Sequence, residues 1–321
     1  MTRIEDADLS LFEFDYDLTF MVFFLDAEER IYGRYGGRDS KDPDSRQSLA
    51  GLRHAMQAVR DVHDRQDIPI GLQRRNAPKY IEDYTAAING GGCIHCHEAK
   101  EIINQDLMAS GNWNRDLVWR YPLPDNLGLV LEVDRGDVVE RVVPDSPAGR
   151  LGLRRGDVVE SLADLPIHSF ADAQFAPDRA PSTGSLEISW RRGDQVVNGK
   201  LELPVGWRKT DITWRTSMLA LIPSSPLNGR DLSAEERKTH GLSESQLAFV
   251  PKSPVSAAAS KAGIRKGDII LGFDGKTVEM EAYDFVRYVG ENYLADDRVL
   301  VDVLRNGQRL QFPMTLRGRF R

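Results

Sequence analysis

The sequence predicts an α+β chain: a mixed α/β region at the amino end, followed by two copies of a small β-barrel domain. Three observations lead there. At 321 residues the chain outgrows a single core, since domains run to roughly 150 residues each. Its second half carries one short motif twice, at Ser146-Pro147-Ala148 with Gly152-Leu153-Arg154-Arg155-Gly156-Asp157, and at Ser253-Pro254-Val255 with Gly263-Ile264-Arg265-Lys266-Gly267-Asp268, the mark of a repeated domain. Its first half shows instead the order strand, turn, strand, helix. A hydrophobic share of 41% and a charged share of 28% are those of a chain that folds.

Leu18 to Leu25 (LTFMVFFL) is β-branched and aromatic enough for a buried strand. Asp26 to Glu29 make a polar turn, and Arg30 to Tyr35 return as a second strand ending at Gly36-Gly37. Ser48 is placed to cap a helix from Leu49 to about Arg65, with Leu52, Ala55, Met56, Val59 and Val62 along one stripe. His54 and His63 lie on that helix too far apart to share a site and read as surface or half-buried residues. Residues 66 to 92 are looser and end in Asn89-Gly90-Gly91-Gly92. Glu98 to Ser110 reads as a helix with Ile102, Ile103 and Leu107 on its apolar face and Gly111 just past its end. Tyr121-Pro122-Leu123-Pro124 then breaks the chain and marks a domain boundary.

In the repeat, a short helix covers a small barrel, a glycine ends it, and Gly-Asp makes a tight turn into an apolar strand. Each copy continues with a strand, a helix and a hairpin, turning at Arg192-Gly193-Asp194 and Asn306-Gly307-Gln308. These features resemble the PDZ domains of bacterial HtrA-like proteases, over roughly residues 126 to 205 and 240 to 318. The resemblance implies capture of protein C-termini or extended peptides as an added strand, with a Φ-G-Φ loop presenting N–H groups to the terminal carboxylate. Leu127, Gly128, Leu129 and Val130 match that loop and strand; a facing helix begins near Phe170, contains Ala173 and Phe175, and is cut short by Pro177. In the second copy Gln246-Leu247-Ala248-Phe249 takes the loop's place, with Ala248 where the glycine would stand. The alternative is that one or both copies are packing modules without a peptide ligand. No G-N-S-G-G nucleophile context surrounds Ser45 or Ser48, so no protease triad is read here.

The two cysteines fall together in Cys93-Ile94-His95-Cys96-His97. C-x-x-C-H is the attachment pattern of haem c: two thiols reach the two vinyl groups, and His97 supplies the proximal imidazole. Three other readings stand beside it: a redox dithiol of Cys93 and Cys96, a metal site that adds His95 or His97, and a structural disulfide. Met108 and His168 are candidates for the distal ligand, and neither is assigned.

The order of D-L-S-L-F-E-F-D-Y-D-L-T-F (residues 8 to 20), I-Y-G-R-Y-G-G-R (31 to 38), C-I-H-C-H and Y-P-L-P-D-N-L-G-L (121 to 129) resembles a family of exported bacterial thioredoxin-like, PDZ-containing proteins, abundant in planctomycetes. The resemblance implies a partial thioredoxin-like amino region and an extracytoplasmic location. The first residues of the chain, by contrast, show no basic segment followed by an apolar core.

Net charge is −7 with a pI near 5.5, which excludes the basic footprint of a nucleic-acid binder. Arg317, Arg319 and Arg321 read as a small solvated tail. No run reaches the roughly 18 apolar residues of a membrane span. The domain map is thus 1–88 thioredoxin-like, 89–120 the C-x-x-C-H segment and its helix, 121–205 the first PDZ-like domain, 206–239 a linker, and 240–321 the second. The expected function is a tandem PDZ peptide-binding protein of the bacterial envelope carrying one haem c, with a thiol-disulfide oxidoreductase or a non-catalytic scaffold as rivals.

Overall fold

A computed structural model describes residues 4, 6–65, 77–85, 94–224 and 227–318. The chain divides into two compact units, Met1–Thr210 and Asp211–Arg321.

In the first unit, β1 (Met21–Leu25) and β2 (Ile31–Gly36) form an antiparallel hairpin. The helix α1 (Leu49–Asp64) follows, and Ser48 caps it by accepting from the Gly51 N–H, as its side chain predicts. Ala55, Val59 and Val62 are buried along the expected stripe, while Met56 is exposed. The strand expected to be buried is the half-exposed one, with Phe20 and Leu25 open to solvent; every residue of β2 is buried instead. The hairpin is a sheet of two strands, and no further strand joins it among the described residues; the expected order of strand, turn, strand and helix is present, and a thioredoxin-like fold is not shown by it. The helix α2 (Cys96–Ala109) begins at the second cysteine, because Glu98 reaches back to the His95 N–H at 2.7 Å and closes a capping box.

The repeat then unfolds as predicted in order, though not as barrels. In the first copy β3 (Leu129–Leu131) pairs with β4 (Val139–Val142) as one two-stranded sheet. The helix α3 (Pro147–Leu151) is capped by Ser146 and ended by Gly152 at φ +87°. A second sheet, ordered β6-β5-β7-β8, takes β5 (Val158–Leu162), β6 (Leu165–Pro166), β7 (Gly184–Arg192) and β8 (Gln195–Leu203). Between them lies α4 (Phe170–Asp178), which carries Pro177 in its last turn and ends one residue later. The two sheets enclose one core around Leu127, Leu129, Leu162, Ala173 and Leu201, but neither closes on itself.

The second unit has one five-stranded antiparallel sheet, ordered β13-β12-β11-β10-β9. It comprises β9 (Gly229–Asp231), α5 (Ala234–Thr239), β10 (Phe249–Pro251), α6 (Ala257–Ala262), β11 (Ile269–Phe273), α7 (Ala282–Asn292), β12 (Arg298–Arg305) and β13 (Gln308–Thr315). Here too the sheet is open, which corrects the barrel expectation for both copies. The stretch expected as a linker, 206–239, supplies β9 and α5 to this domain.

Candidate peptide-binding grooves

The first groove is built from β3 and α4. Gly128 sits at φ +85°, and a Cβ there would fall 1.9 Å from the Ser146 hydroxyl oxygen, so this position of the loop requires glycine. Towards β4, Gly128 offers its carbonyl to the Val143 N–H and Glu132 donates to the Val138 carbonyl. By strand alternation the backbone groups of Leu129 and Leu131 therefore face the opposite, free edge. Leu127, Leu129 and Leu131 are almost fully buried and Val130 is 9% exposed.

That free edge and its helix are covered from within the same unit. All nine residues of α4 are buried, which one contact face cannot achieve. The amino-terminal region supplies the other. The Arg34 N–H donates to Asp172 Oδ1 at 2.8 Å, and the Ser169 hydroxyl donates to the Arg34 carbonyl. The Arg34 guanidinium lies over the Phe175 ring at 3.5 Å. Arg46 reaches further: Nη1 donates to the Leu131 carbonyl at 3.3 Å, Nη2 to Asp125, Nε to Asp39, and the group rests 4.7 Å over Phe170. One buried side chain thus spans β3 and α4.

Burial perturbs the charges in this contact. It raises the Asp172 carboxyl to about 7, against the opposing pull of Arg34 and of the N–H groups of Arg34 and His168. It lowers Arg34 to about 10. His168, also lowered by burial, lies near Asp137 and His54, and His54 Nε2 stands 2.9 Å from Asp137 Oδ1. His54 is half-buried in this contact and His63 is exposed, both within the surface or half-buried places the sequence suggests.

The second groove is elsewhere than the sequence suggests. Ala248 and Phe249 are fully buried, and β10 is flanked by β9 on one side and β11 on the other, so it has no free edge for a ligand strand. The edge strand is β9. Leu232 donates to the Ala248 carbonyl and Asn228 accepts from Lys252, which turns the backbone groups of Gly229 and Asp231 outward. Gly229 allows the close approach to β10: a Cβ there would lie 2.0 Å from the Val250 carbonyl oxygen. The Asp231 carboxylate accepts from the Ala282 N–H at 2.9 Å and fixes the start of α7 beside this edge. On α7, Phe285 and Val289 enter the core while Tyr283 and Val286 remain exposed. The Asp231 carbonyl accepts from Arg230, which pairs with Glu236 at 2.8 Å and is 63% exposed. The sequence holds a signal for this groove, the Leu227-Asn228-Gly229 step ahead of a short strand, inside what reads as linker.

Of the C-x-x-C-H motif, Cys93 lies outside the described residues. Cys96 opens α2 with a half-buried thiol that burial pushes above the usual range, the reverse of an activated thiolate. It borders an apolar cavity of about 350 Å³ lined by Phe12, Phe14, Phe20, Met21 and Phe23. His97 Nδ1 stands 3.9 Å from Glu101 Oε1, one turn on. Met108 is exposed. Among the described residues no group of three or more His, Cys, Asp or Glu is arranged to hold a metal ion, and no helix is long and apolar enough to cross a membrane.

Family models for the PDZ domain match residues 138–192 and 247–316. The chain is 30% identical over 159 residues to the periplasmic serine endoprotease DegP of Escherichia coli, covering 49% of this chain and 31% of that one. It is 30% identical over 143 residues to the periplasmic pH-dependent serine endoprotease DegQ of the same organism, 44% and 29% of the two chains. A putative serine protease, HhoA of Synechocystis, is 32% identical over 120 residues, 37% and 28%. The chain thus spans about a third or less of the length of these relatives. A solved HtrA-type protease, AlgW, with a decapeptide superposes at TM-score 0.29 and 14% identity, covering 53% and 51%. The protein carries two PDZ domains and resembles the HtrA and DegP proteins, a likeness that supports peptide binding.

Proposed function

We propose that this protein captures the C-terminal ends of other polypeptides in the periplasm, with the β9–α7 groove of its second PDZ domain as the open receptor. The observation that carries this reading is the free edge of Gly229 and Asp231 held beside α7, where an extended peptide can add as a sixth strand. The periplasmic setting rests on DegP and DegQ, whose names place them there. Fluorescence anisotropy on the full chain tests it, using an N-terminally labelled pool of decapeptides with free or amidated C-termini. Saturable binding that weakens at least about tenfold on amidation, and is lost in Gly229→Val with the circular dichroism spectrum kept, is the expected result. Equal binding of the amidated pool would refute carboxylate capture.

A second reading, haem c on Cys93, Cys96 and His97, is favoured by one local arrangement. A metal-bound imidazole usually gives its other ring nitrogen to a carboxylate, and Glu101 stands where it can take that role for His97 Nδ1. Cys96 beside an aromatic cavity suits an apolar macrocycle; a haem there would supply one-electron chemistry. Protein exported together with a haem-maturation system and assayed as its pyridine haemochrome decides the matter. A covalent chromophore that disappears in Cys96→Ala supports attachment, and colourless protein with intact thiols rules it out.

A further inference from the structure

We infer that the first PDZ groove has a resident occupant, the segment from Ile31 to Arg46 of the same chain, so that this domain takes a peptide only when that segment leaves. The inference rests on the reading that PDZ domains here receive peptide strands, and it assigns the two copies different states.

Three features place the segment over the groove. The Leu131 carbonyl belongs to the free edge of β3, where a ligand strand would find its hydrogen bonds, and Arg46 Nη1 already donates to it at 3.3 Å. Arg46 also lies over Phe170, the first residue of α4, so the guanidinium crosses the groove from strand to helix. Beside it, Arg34 is tied by its N–H to the Asp172 carboxylate and by its carbonyl to the Ser169 hydroxyl, so the segment is anchored to side chains at α4 rather than paired with β3. Gly37 lies so close to Phe170 that a Cβ would come within 2.6 Å of the ring, so the segment's backbone rests directly against the start of α4.

The second copy shows what an open groove looks like. There too an arginine, Arg230, donates to the edge carbonyl of Asp231. Its side chain is 63% exposed and held by a surface carboxylate, whereas that of Arg46 is 8% exposed between Asp39 and Asp125. A surface arginine is displaced at little cost, but a buried one leaves two carboxylates behind.

The test compares the full chain with Arg46→Ala and with Arg46→Met, which keeps the stem over Phe170 and removes the donors. Hydrogen–deuterium exchange is read first. Amides of residues 31–46 and 170–178 should exchange at least about tenfold faster in the variants, while those of β5, β7 and β8 keep their protection. Loss of protection throughout the unit in both variants would show the contact to be part of the domain's core and would overturn the inference. The labelled peptide pool is then applied with Gly229→Val in every chain, so that only the first groove can respond. Binding confined to the Arg46 variants supports occupancy in cis, and equal binding by the chain that keeps Arg46 overturns it. Peptide binding absent from all chains, including those with Gly229, combined with faster exchange at residues 31–46 and 170–178 alone, would mean that the cover is real and that the peptide reading itself fails.

Discussion

Arg46 and Arg230 make the same bond, guanidinium to edge carbonyl, in opposite surroundings, and the surroundings decide what each bond means. The same holds for Asp172, which accepts from the Arg34 and His168 N–H groups yet is raised to about 7 because it has lost its water. A carboxyl whose pKa rises on folding stabilises the fold in acid and loses that contribution as pH climbs through the folded value. Arg34, at about 10, stays charged throughout. His168 is lowered by burial and acts below its ordinary range, in the opposite sense. Between pH 6.5 and 8 the wild-type first unit should therefore lose about 1 kcal/mol, or about 2–4 °C in Tm. Asp172→Asn should flatten that slope, and an unchanged slope by differential scanning calorimetry would show that Asp172 is not its source. Residue identity made some positions legible: Ser48 as a cap and Gly128 as a loop glycine follow from side-chain chemistry alone. Arg46 and Asp172 do not, since each owes its role to a partner more than 75 positions away, and no local pattern encodes that.

At the level of elements, the repeat explains itself through one carboxylate. Asp157 accepts from Arg192 Nε and Nη2 at 2.8 and 2.7 Å and from the Arg154 N–H at 2.8 Å, while Arg192 also reaches the Gly152 carbonyl. Asp268, Arg305, Arg265 and Gly263 repeat the arrangement bond for bond. The Gly-Asp of the motif is thus a clamp joining the helix end, the turn and the hairpin. Burial alone would raise Asp157, but these donors outweigh it and hold the carboxyl below its ordinary range. Asp268→Ala should destabilise the second unit by about 2–3 kcal/mol in urea titration; a loss below about 0.5 kcal/mol would show the clamp to be ornamental. Hairpins were equally readable: Asn306 and Gly307 take φ +50° and +79°, the mirror-image turn that Asn-Gly favours. The strand β9 was not, because three residues without alternation carry no periodic signal. β1 is less buried than its composition suggests, since composition marks a strand without saying which face or edge it will occupy.

Across the whole molecule, the repeat fixed the count and order of the carboxyl-terminal domains, and the boundary between units fell at Thr210, where the sequence suggested a linker. The amino-terminal region was legible as strand, turn, strand and helix but not as a domain of its own. Its buried surface is completed by α4, and its Arg46 reaches across to β3, so it belongs to the first PDZ domain's unit. The edge strand of the second domain lies ahead of the segment recognised by the family model, which opens at residue 247. Anyone cutting the gene at that point would discard Gly229 and Asp231 and keep a sheet whose raw edge is β10, guarded only by Pro251 and the Lys252 just past its end. Such a fragment would carry the sequence signature of a receptor without its receiving strand, and would offer an adhesive border to its own copies.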